Sequence, residues 1–199
     1  MIVIIDYGLG NLGSVKNALD KLGVDSMISR SIKDIEKADA LILPGVGSAK
    51  QGMENLKEKN LDKILINEIK KGKPFLGICL GMQLLFSTSE ERNIKCLNVI
   101  DGKVKMFSNK LKVPQIGWNS VEQKIKTNLF KNISSRSSFY FVNSYYCQPK
   151  DESVIVGETE YGINYCSVLV KKNIVATQFH PEKSGEVGQQ FIKNFIKLI

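Results

Sequence analysis

One cysteine in the chain stands where a nucleophile would be expected. Cys79 follows an apolar run and has glycine two positions before and two positions after it, in the stretch GICLG. This spacing is typical of a nucleophile elbow, a tight turn from a strand into a helix that exposes the nucleophile at the end of the strand. Only small residues fit beside such a turn, and the helix N-terminus favours a thiolate. A buried structural cysteine between packing glycines is the alternative.

The only histidine, His180, precedes Pro181 and Glu182. Proline disfavours helical geometry in the residue before it, so we expect these three residues to be extended, with His180 and Glu182 on the same side. An imidazole oriented by a carboxylate is the base that removes a proton from a thiol. The sequence therefore predicts a triad of Cys79, His180 and Glu182. The alternative is a surface histidine in a turn.

A second glycine-rich loop, LPGVGS at residues 43 to 48, also follows an apolar run. The carboxyl ends of parallel strands meet at one edge of a sheet, so this loop should lie near Cys79. The backbone N–H groups of Val46, Gly47 and Leu80 are predicted to form an oxyanion hole, which stabilises the negative oxygen formed during acyl transfer. A glycine turn that serves only to reverse the chain is the alternative.

The elements around these residues indicate an α/β fold in the first half of the chain. Apolar runs at 2–5, 40–43 and 74–78 are each followed by a glycine-containing turn and a helical pattern, the second of which extends from about 52 to 69. Strands that alternate with helices predict parallel βαβ units and a sheet covered on both faces.

The second half has a different pattern. Short apolar segments separated by Asn, Gly, Ser and Lys predict an antiparallel layer, with strands at 112–121, 139–146, 153–158, 167–171 and 174–179. A final helix is predicted at 188–198. We expect one domain over residues 1–199, an open and mostly parallel doubly wound sheet with an antiparallel extension in its C-terminal half.

The composition excludes several classes of protein. With 199 residues and 43% hydrophobic residues, the chain can fill a core. The formal net charge of +8 comes from scattered lysines without interleaved aromatic residues, so we expect no nucleic-acid partner. The cysteine spacings fit no metal site and no apolar run is long enough for a membrane span. We expect a cytoplasmic protein without metal or cofactor.

The motifs GICLGMQ, PGVG and HPE, in these positions, resemble those of the class I glutamine amidotransferases. The stretches DYGLGNLGSV, PQIGWNSV, YFVNSYY and HPEKSG are similar to those of the glutaminase subunits of imidazole glycerol phosphate synthases, and the resemblance covers nearly the whole chain. It implies the same triad and the same oxyanion hole. It also implies that the glutamine head group is bound by Gln83, Glu91, Ser144 and Tyr145.

The resemblance implies a reaction and a partner. L-Glutamine would be hydrolysed to glutamate and ammonia, and the ammonia would pass to a (βα)₈-barrel synthase subunit that makes imidazole glycerol phosphate in histidine biosynthesis. We expect this partner to be a separate chain in a heterodimer. The residues implied at the interface are Gln115, Trp118, Asn119, Tyr140, Asn143 and Lys183.

The chain departs from the family pattern at two of these positions. Members usually carry histidine where this chain has Gln115 and Asn143. The alternative is therefore a paralogous glutaminase that supplies ammonia to another synthase, for example in amino-sugar or surface-polysaccharide assembly. Two further alternatives are a cysteine hydrolase such as a peptidase or deglycase, and a non-catalytic scaffold that binds a barrel.

Overall fold

Six α-helices and thirteen strands make up the computed structural model, which describes residues 1–199. The helices are α1 (Leu12–Asp20), α2 (Ile32–Lys37), α3 (Ala49–Glu58), α4 (Leu61–Lys70), α5 (Leu80–Leu84) and α6 (Gly185–Ile196). The strands are β1 (Ile2–Ile5), β2 (Ser26–Ser29), β3 (Ala40–Leu43), β4 (Phe75–Ile78), β5 (Phe86–Ser89), β6 (Ile94–Lys95), β7 (Ile100–Met106), β8 (Gln115–Gln123), β9 (Ser137–Asn143), β10 (Tyr145–Pro149), β11 (Ile155–Glu160), β12 (Asn164–Lys171) and β13 (Ile174–Thr177).

All the strands belong to one sheet with two different halves. Strands β2, β1, β3, β4 and β13 lie side by side and are parallel. Antiparallel pairing begins at β12, where the sheet branches. One branch continues through β10 and β7, and the other through β11, β8 and β9. The predicted fold class, an α/β sheet with an antiparallel extension in the C-terminal half, is confirmed.

The core consists of two apolar layers, one on each face of the sheet. Alternate residues of a strand point to opposite faces, so Val3 and Ile5 of β1 belong to one buried cluster and Ile2 and Ile4 to the other. All four are at most 3% exposed. Burial on both faces explains why this strand is continuously apolar rather than alternating.

Some element boundaries differ from the sequence prediction. The helical region expected from about 52 to 69 is two helices, because Asn60 adopts a left-handed conformation (φ 55°) between α3 and α4. Asparagine tolerates this conformation better than most residues. The strands β2, β5, β6 and β7 and the helix α2 were not predicted, since they are short or only partly buried.

A second difference lies next to the candidate site. The strand expected at 139–146 is two strands that change partners at Ser144, because β9 pairs with β8 and β10 pairs with β7. The Ser144 carbonyl accepts a hydrogen bond from the Phe107 N–H at 3.1 Å. The break turns this stretch of backbone toward the edge of the sheet where Cys79 lies.

No helix of the structure has the length and apolar character needed to cross a membrane.

Candidate active site

Cys79 forms the turn between β4 and α5 in a strained backbone conformation. Its φ of 54° and ψ of −105° lie outside the helical and extended regions. The flanking glycines are required by close backbone packing. A Cβ on Gly81 would overlap the Leu43 carbonyl oxygen, and one on Gly77 would lie 3.0 Å from the Gly81 carbonyl oxygen. The GxCxG spacing is therefore explained by contact between α5 and the two neighbouring strands.

His180 and Glu182 form a buried pair beyond the end of β13. His180 Nδ1 and Glu182 Oε1 are 2.8 Å apart, and both side chains are 2% exposed. The expectation of an extended segment is only partly right. His180 is extended, but Pro181–Lys183 is a single 3₁₀ turn. Proline has no N–H to lose and a fixed φ, so it suits the first position of a helical turn, and the turn still brings the carboxylate to the imidazole.

The surroundings of His180 favour the protonated form of its imidazole. Burial lowers the pKa of His180, but Cys79 and then Glu182 outweigh it, and the pKa is raised. His180 Nε2 is buried and makes no hydrogen bond. The imidazole is therefore held by Glu182 on one side, with its other nitrogen available for proton transfer with Cys79.

Residues 44 to 48 form the loop after β3, directly above α5. The Leu80 N–H donates to the Gly45 carbonyl at 3.3 Å. A Cβ on Gly45 would overlap the Tyr7 hydroxyl oxygen and lie 2.9 Å from the Leu80 Cβ. Tyr7 is fully buried, and its hydroxyl has no hydrogen-bond partner in the chain. The Leu80 N–H, one of the three predicted oxyanion donors, is thus already bonded to the loop that contains the other two, Val46 and Gly47.

A cavity of about 250 Å³ opens beside the cysteine. It is lined by Val46, Gly47, Cys79, Leu80, Gln83, Glu91, Pro114, Val142, Asn143, Ser144 and Tyr145. The predicted nucleophile, the predicted oxyanion residues and the four residues implied to bind glutamine all lie on this wall. His180 and Glu182 do not line the cavity, but His180 lies close to Cys79.

Two of the implied binding residues are held by hydrogen bonds. Gln83 Nε2 donates to the Tyr145 carbonyl at 3.3 Å and to Gln178 Oε1 at 3.1 Å. Glu91 Oε2 accepts from the Ala49 N–H at 2.6 Å, at the first residue of α3. Both side chains are thereby fixed at the cavity before any ligand binds.

The residues implied at the partner interface separate into two sets. Trp118 is 59% exposed and contacts half-buried Tyr140 edge to face, with 6.0 Å between ring centroids. Lys183 is exposed, and Asn119 is half-buried and donates to the Glu160 carbonyl. This first set lies where another chain can contact it.

Gln115 and Asn143 are different, and the prediction that they face a partner is wrong for this chain. They are 4% and 5% exposed and lie directly opposite each other in the β8 and β9 pairing. Alternation along β8 and β9 points them to the face opposite that of Trp118 and Tyr140. Gln115 accepts a hydrogen bond from the Tyr165 hydroxyl at 3.0 Å, inside the sheet.

Sequence reasoning missed several residues that touch the site. Gln178 Nε2 lies 3.6 Å from Cys79 Sγ, and the buried Ser184 hydroxyl donates to the His180 carbonyl at 2.7 Å. Ser184 Oγ also accepts from the Tyr140 N–H, which ties the turn after His180 to β9. The signal in the sequence was one polar residue on each side of the FHPEK stretch, Gln178 before it and Ser184 after it. Such a signal is weak without the fold.

The fold, with a cavity beside Cys79 at the end of a parallel strand, is that of an α/β enzyme. A family model for glutamine amidotransferase class-I matches residues 3–198. The chain belongs to the class I glutamine amidotransferase family.

Several curated proteins are similar to the chain over its full length. A protein of Dehalococcoides mccartyi, imidazole glycerol phosphate synthase subunit HisH, is 45% identical over 100% of this chain and 97% of that protein. Imidazole glycerol phosphate synthase subunit HisH 2 of Methanococcus maripaludis is 49% identical over 99% of both.

Solved structures share the fold at low sequence identity. A crystal structure of a glutamine amidotransferase has a TM-score of 0.79 and 18% identity, covering 100% of this chain and 98% of that chain. The structure of PurLQS from Thermotoga maritima has a TM-score of 0.77 and 15% identity, covering 99% and 97% of the two chains. These likenesses support the fold of the chain.

Proposed function

We propose that this chain hydrolyses the side-chain amide of L-glutamine, with Cys79 as nucleophile and His180 as acid and base. The observation that carries the proposal is that Cys79 lines a 250 Å³ cavity and also lies beside His180, which is paired with buried Glu182. A substrate in the cavity would meet the sulfur, and the neighbouring imidazole would exchange protons with the reacting groups. A structural cysteine needs neither neighbour.

The first half of the reaction is acylation. The Cys79 thiolate attacks the amide carbon of glutamine and forms a tetrahedral intermediate with a negative oxygen. His180, protonated opposite the thiolate, gives its proton to the leaving nitrogen, so that ammonia departs and a thioester remains. Glu182 keeps the imidazole oriented and stabilises its positive charge.

The second half is hydrolysis of the thioester. Neutral His180 removes a proton from a water molecule, which attacks the thioester carbonyl. The carbon–sulfur bond then breaks, glutamate leaves, and the thiolate forms again opposite the protonated imidazole. Gln83 and Glu91 would bind the glutamine head group, because both are held at the cavity wall by hydrogen bonds within the chain.

The loop from Pro44 to Ser48 would control the reaction. In a trans peptide the C=O and N–H point in opposite directions, so while the Gly45 carbonyl accepts from Leu80, the Val46 N–H points away from that donor. Rotation of this peptide would release the Leu80 N–H and turn the Val46 N–H toward the substrate. We infer that the isolated chain hydrolyses glutamine slowly and that its partner favours the rotated loop.

The partner we propose is a (βα)₈-barrel synthase subunit in a heterodimer, which uses the ammonia to form imidazole glycerol phosphate in histidine biosynthesis in the cytoplasm. The two relatives named as synthase subunits support this proposal over the full chain length. Ile116 and Trp118 on β8 are 65% and 59% exposed and offer an apolar contact surface. Residues 1–199 would act as one glutaminase domain, since its single sheet includes strands from both halves of the chain.

The rival, a paralogue that serves another synthase, loses its main support. It rested on a changed partner surface at Gln115 and Asn143, and both side chains are buried. Deletion of the gene separates the two functions. Histidine auxotrophy that histidine relieves supports the proposal, whereas unimpaired growth without histidine, in a strain with no second glutaminase gene of this type, contradicts the pathway.

A direct assay tests the chemistry. The purified chain, alone and with the synthase subunit, is incubated with L-glutamine, and both ammonia and glutamate are measured. We expect equal amounts of the two products and a higher rate with the partner. Absence of glutamate in both samples contradicts the proposed activity.

A further inference from the structure

Gln178 is a buried polar residue that neither the triad nor the implied glutamine-binding set includes. It directly follows β13, and its backbone N–H donates to the Ser167 carbonyl at 2.9 Å. The residue is 0% exposed. A buried amide side chain is costly unless its polar atoms are paired, so its partners indicate why the site tolerates it.

Both ends of the Gln178 amide contact the site. Nε2 donates to Cys79 Sγ at 3.6 Å, and Oε1 accepts from Gln83 Nε2 at 3.1 Å. Gln83 Nε2 also donates to the Tyr145 carbonyl, so both of its hydrogens are used and its carbonyl oxygen is the atom left for a ligand. One buried amide thus connects the sulfur to a residue of the cavity wall.

We propose that Gln178 is a further catalytic residue, which stabilises the Cys79 thiolate by donating a hydrogen bond to the sulfur and holds Gln83 in its substrate-facing orientation. The inference rests on the proposed glutaminase function. An amide donor carries no charge and does not titrate, so this contribution is present at every pH. Hydrogen bonds to ionised partners are stronger than those between neutral groups, so the thiolate gains more from this contact than the thiol.

The ionisable groups near the sulfur come from four elements. They are His180 after β13, Tyr7 after β1, Tyr165 in β12 and Cys147 in β10. Burial raises the pKa of Tyr7, Tyr165 and Cys147, so these three are neutral near pH 7. Near pH 7 His180 is therefore the titratable group among these that can carry a positive charge, and Gln178 Nε2 is the side-chain amide that donates to the sulfur.

The test uses Gln178→Met, which keeps the length of the side chain and removes both hydrogen bonds. Alkylation of Cys79 by iodoacetamide is followed as a function of pH in the full-length chain, with the modified residue identified by mass spectrometry. We expect the midpoint of the pH profile to move upward by about one unit or more, because the thiolate loses a donor. In the complex with the synthase subunit, kcat/KM for glutamine should fall roughly 10- to 100-fold.

Two control variants separate this role from a structural one. Thr177→Val removes a buried hydrogen bond one residue away, from Oγ1 to the Phe179 carbonyl at 2.9 Å, and should leave the midpoint in place. Gln83→Met should raise KM for glutamine with little change in the midpoint. If Gln178→Met does not fold, Gln178→Asn, whose shorter amide cannot reach the sulfur, carries the same expectations.

The outcomes are distinct. A parental midpoint and a parental kcat/KM in the folded Gln178 variant overturn this inference while leaving the glutaminase proposal intact. A midpoint that moves equally in the Thr177 and Gln178 variants also overturns it, since loss of packing would then be the cause. A parent chain that alkylates normally but releases no glutamate overturns the proposed function itself.

Discussion

The parallel and antiparallel halves of the sheet supply different parts of the site. In the parallel half, α5 packs so closely on β3 that a single carbon added to Gly81 would overlap the Leu43 carbonyl oxygen. In the antiparallel half, Gly117 on β8 has nothing within 4 Å of an added carbon, and its neighbours Ile116 and Trp118 are exposed. The residues proposed to react therefore lie beside closely packed backbone, whereas the proposed partner surface lies on a strand with exposed side chains.

The largest effect should follow loss of the nucleophile. Cys79→Ala is expected to lower the rate of glutamine hydrolysis by at least about 10³-fold, because no other thiol faces the cavity. The fold should persist, with the free energy of unfolding changed by less than about 1 kcal/mol, since the two hydrogen bonds of Sγ are long, at 3.6 and 3.7 Å. Cys166→Ala, in β12, is the control and should keep its activity. Near-parental turnover of glutamine by Cys79→Ala would show that Cys79, at the end of a parallel strand, is not the nucleophile.

Loss of the base should be nearly as severe. His180→Asn is expected to lower kcat by about 10³-fold or more, because the chain has no second histidine. The variant also tests stability against pH. The pKa of His180 is raised from 6.5 to about 10, so its stabilising contribution is fully present below about pH 6.5 and is lost as the pH rises through about 10.

Chemical unfolding across this pH range measures that contribution. We expect the difference in unfolding free energy between the parent and His180→Asn to shrink steadily from pH 6.5 to pH 10. A difference that stays constant over the range would contradict a protonated imidazole in the folded chain.

Backbone packing in the parallel half is tested by Gly81→Ala. The new carbon would overlap the Leu43 carbonyl oxygen, so α5 must shift, and we expect a loss of about 2 kcal/mol or more in stability together with lower kcat. Gly13→Ala in α1 is the matched control, because nothing lies within 4 Å of its added carbon. That variant should be more stable by about 0.5–1 kcal/mol and fully active. Thermal melts measure the stability of both variants, and initial rates of glutamine hydrolysis measure their activity.

The antiparallel half is tested by Trp118→Ala. We expect the Kd for the synthase subunit to rise roughly 30-fold or more, since exposed aromatic residues dominate interface energies. The unfolding free energy of the isolated chain should change by less than about 0.5 kcal/mol. Ile163→Ala, 42% exposed in the turn between β11 and β12, serves as the control. Equal binding by the Trp118 variant and the parent would place the interface elsewhere.

The smallest effect on binding is expected at Gln115. Because the side chain is buried and bonded to Tyr165, Gln115→Ala should lower the unfolding free energy by about 1–3 kcal/mol. The Kd for the synthase subunit, measured by titration below the melting temperature, should stay within about threefold of the parental value. A large loss of affinity without a loss of stability would show that this residue faces the partner after all.

Much of the site could be predicted from local patterns. The glycine spacing around Cys79 and the apolar run before it depend on short-range sterics, and these act between residues close in the chain. The same holds for the loop at residues 43 to 48. The predictions that were wrong concern details that depend on residues distant in sequence. The 3₁₀ turn at Pro181–Lys183 is held by contacts of Ser184 with His180 and Tyr140, and the latter lies on another strand.

Strand–turn–helix periodicity and short motifs are local, so they were enough to predict the α/β class of the fold, the candidate catalytic residues and the family of the chain. Which polar residues lie beside the sulfur and which lie on an exposed face depends on the folded sheet. Gln115 and Trp118 are three positions apart on one strand, so alternation sends one inward and the other outward, and the packing of the sheet decides which. Gln178 became part of the site in the same way, because β13 lies beside β4 only in the folded sheet.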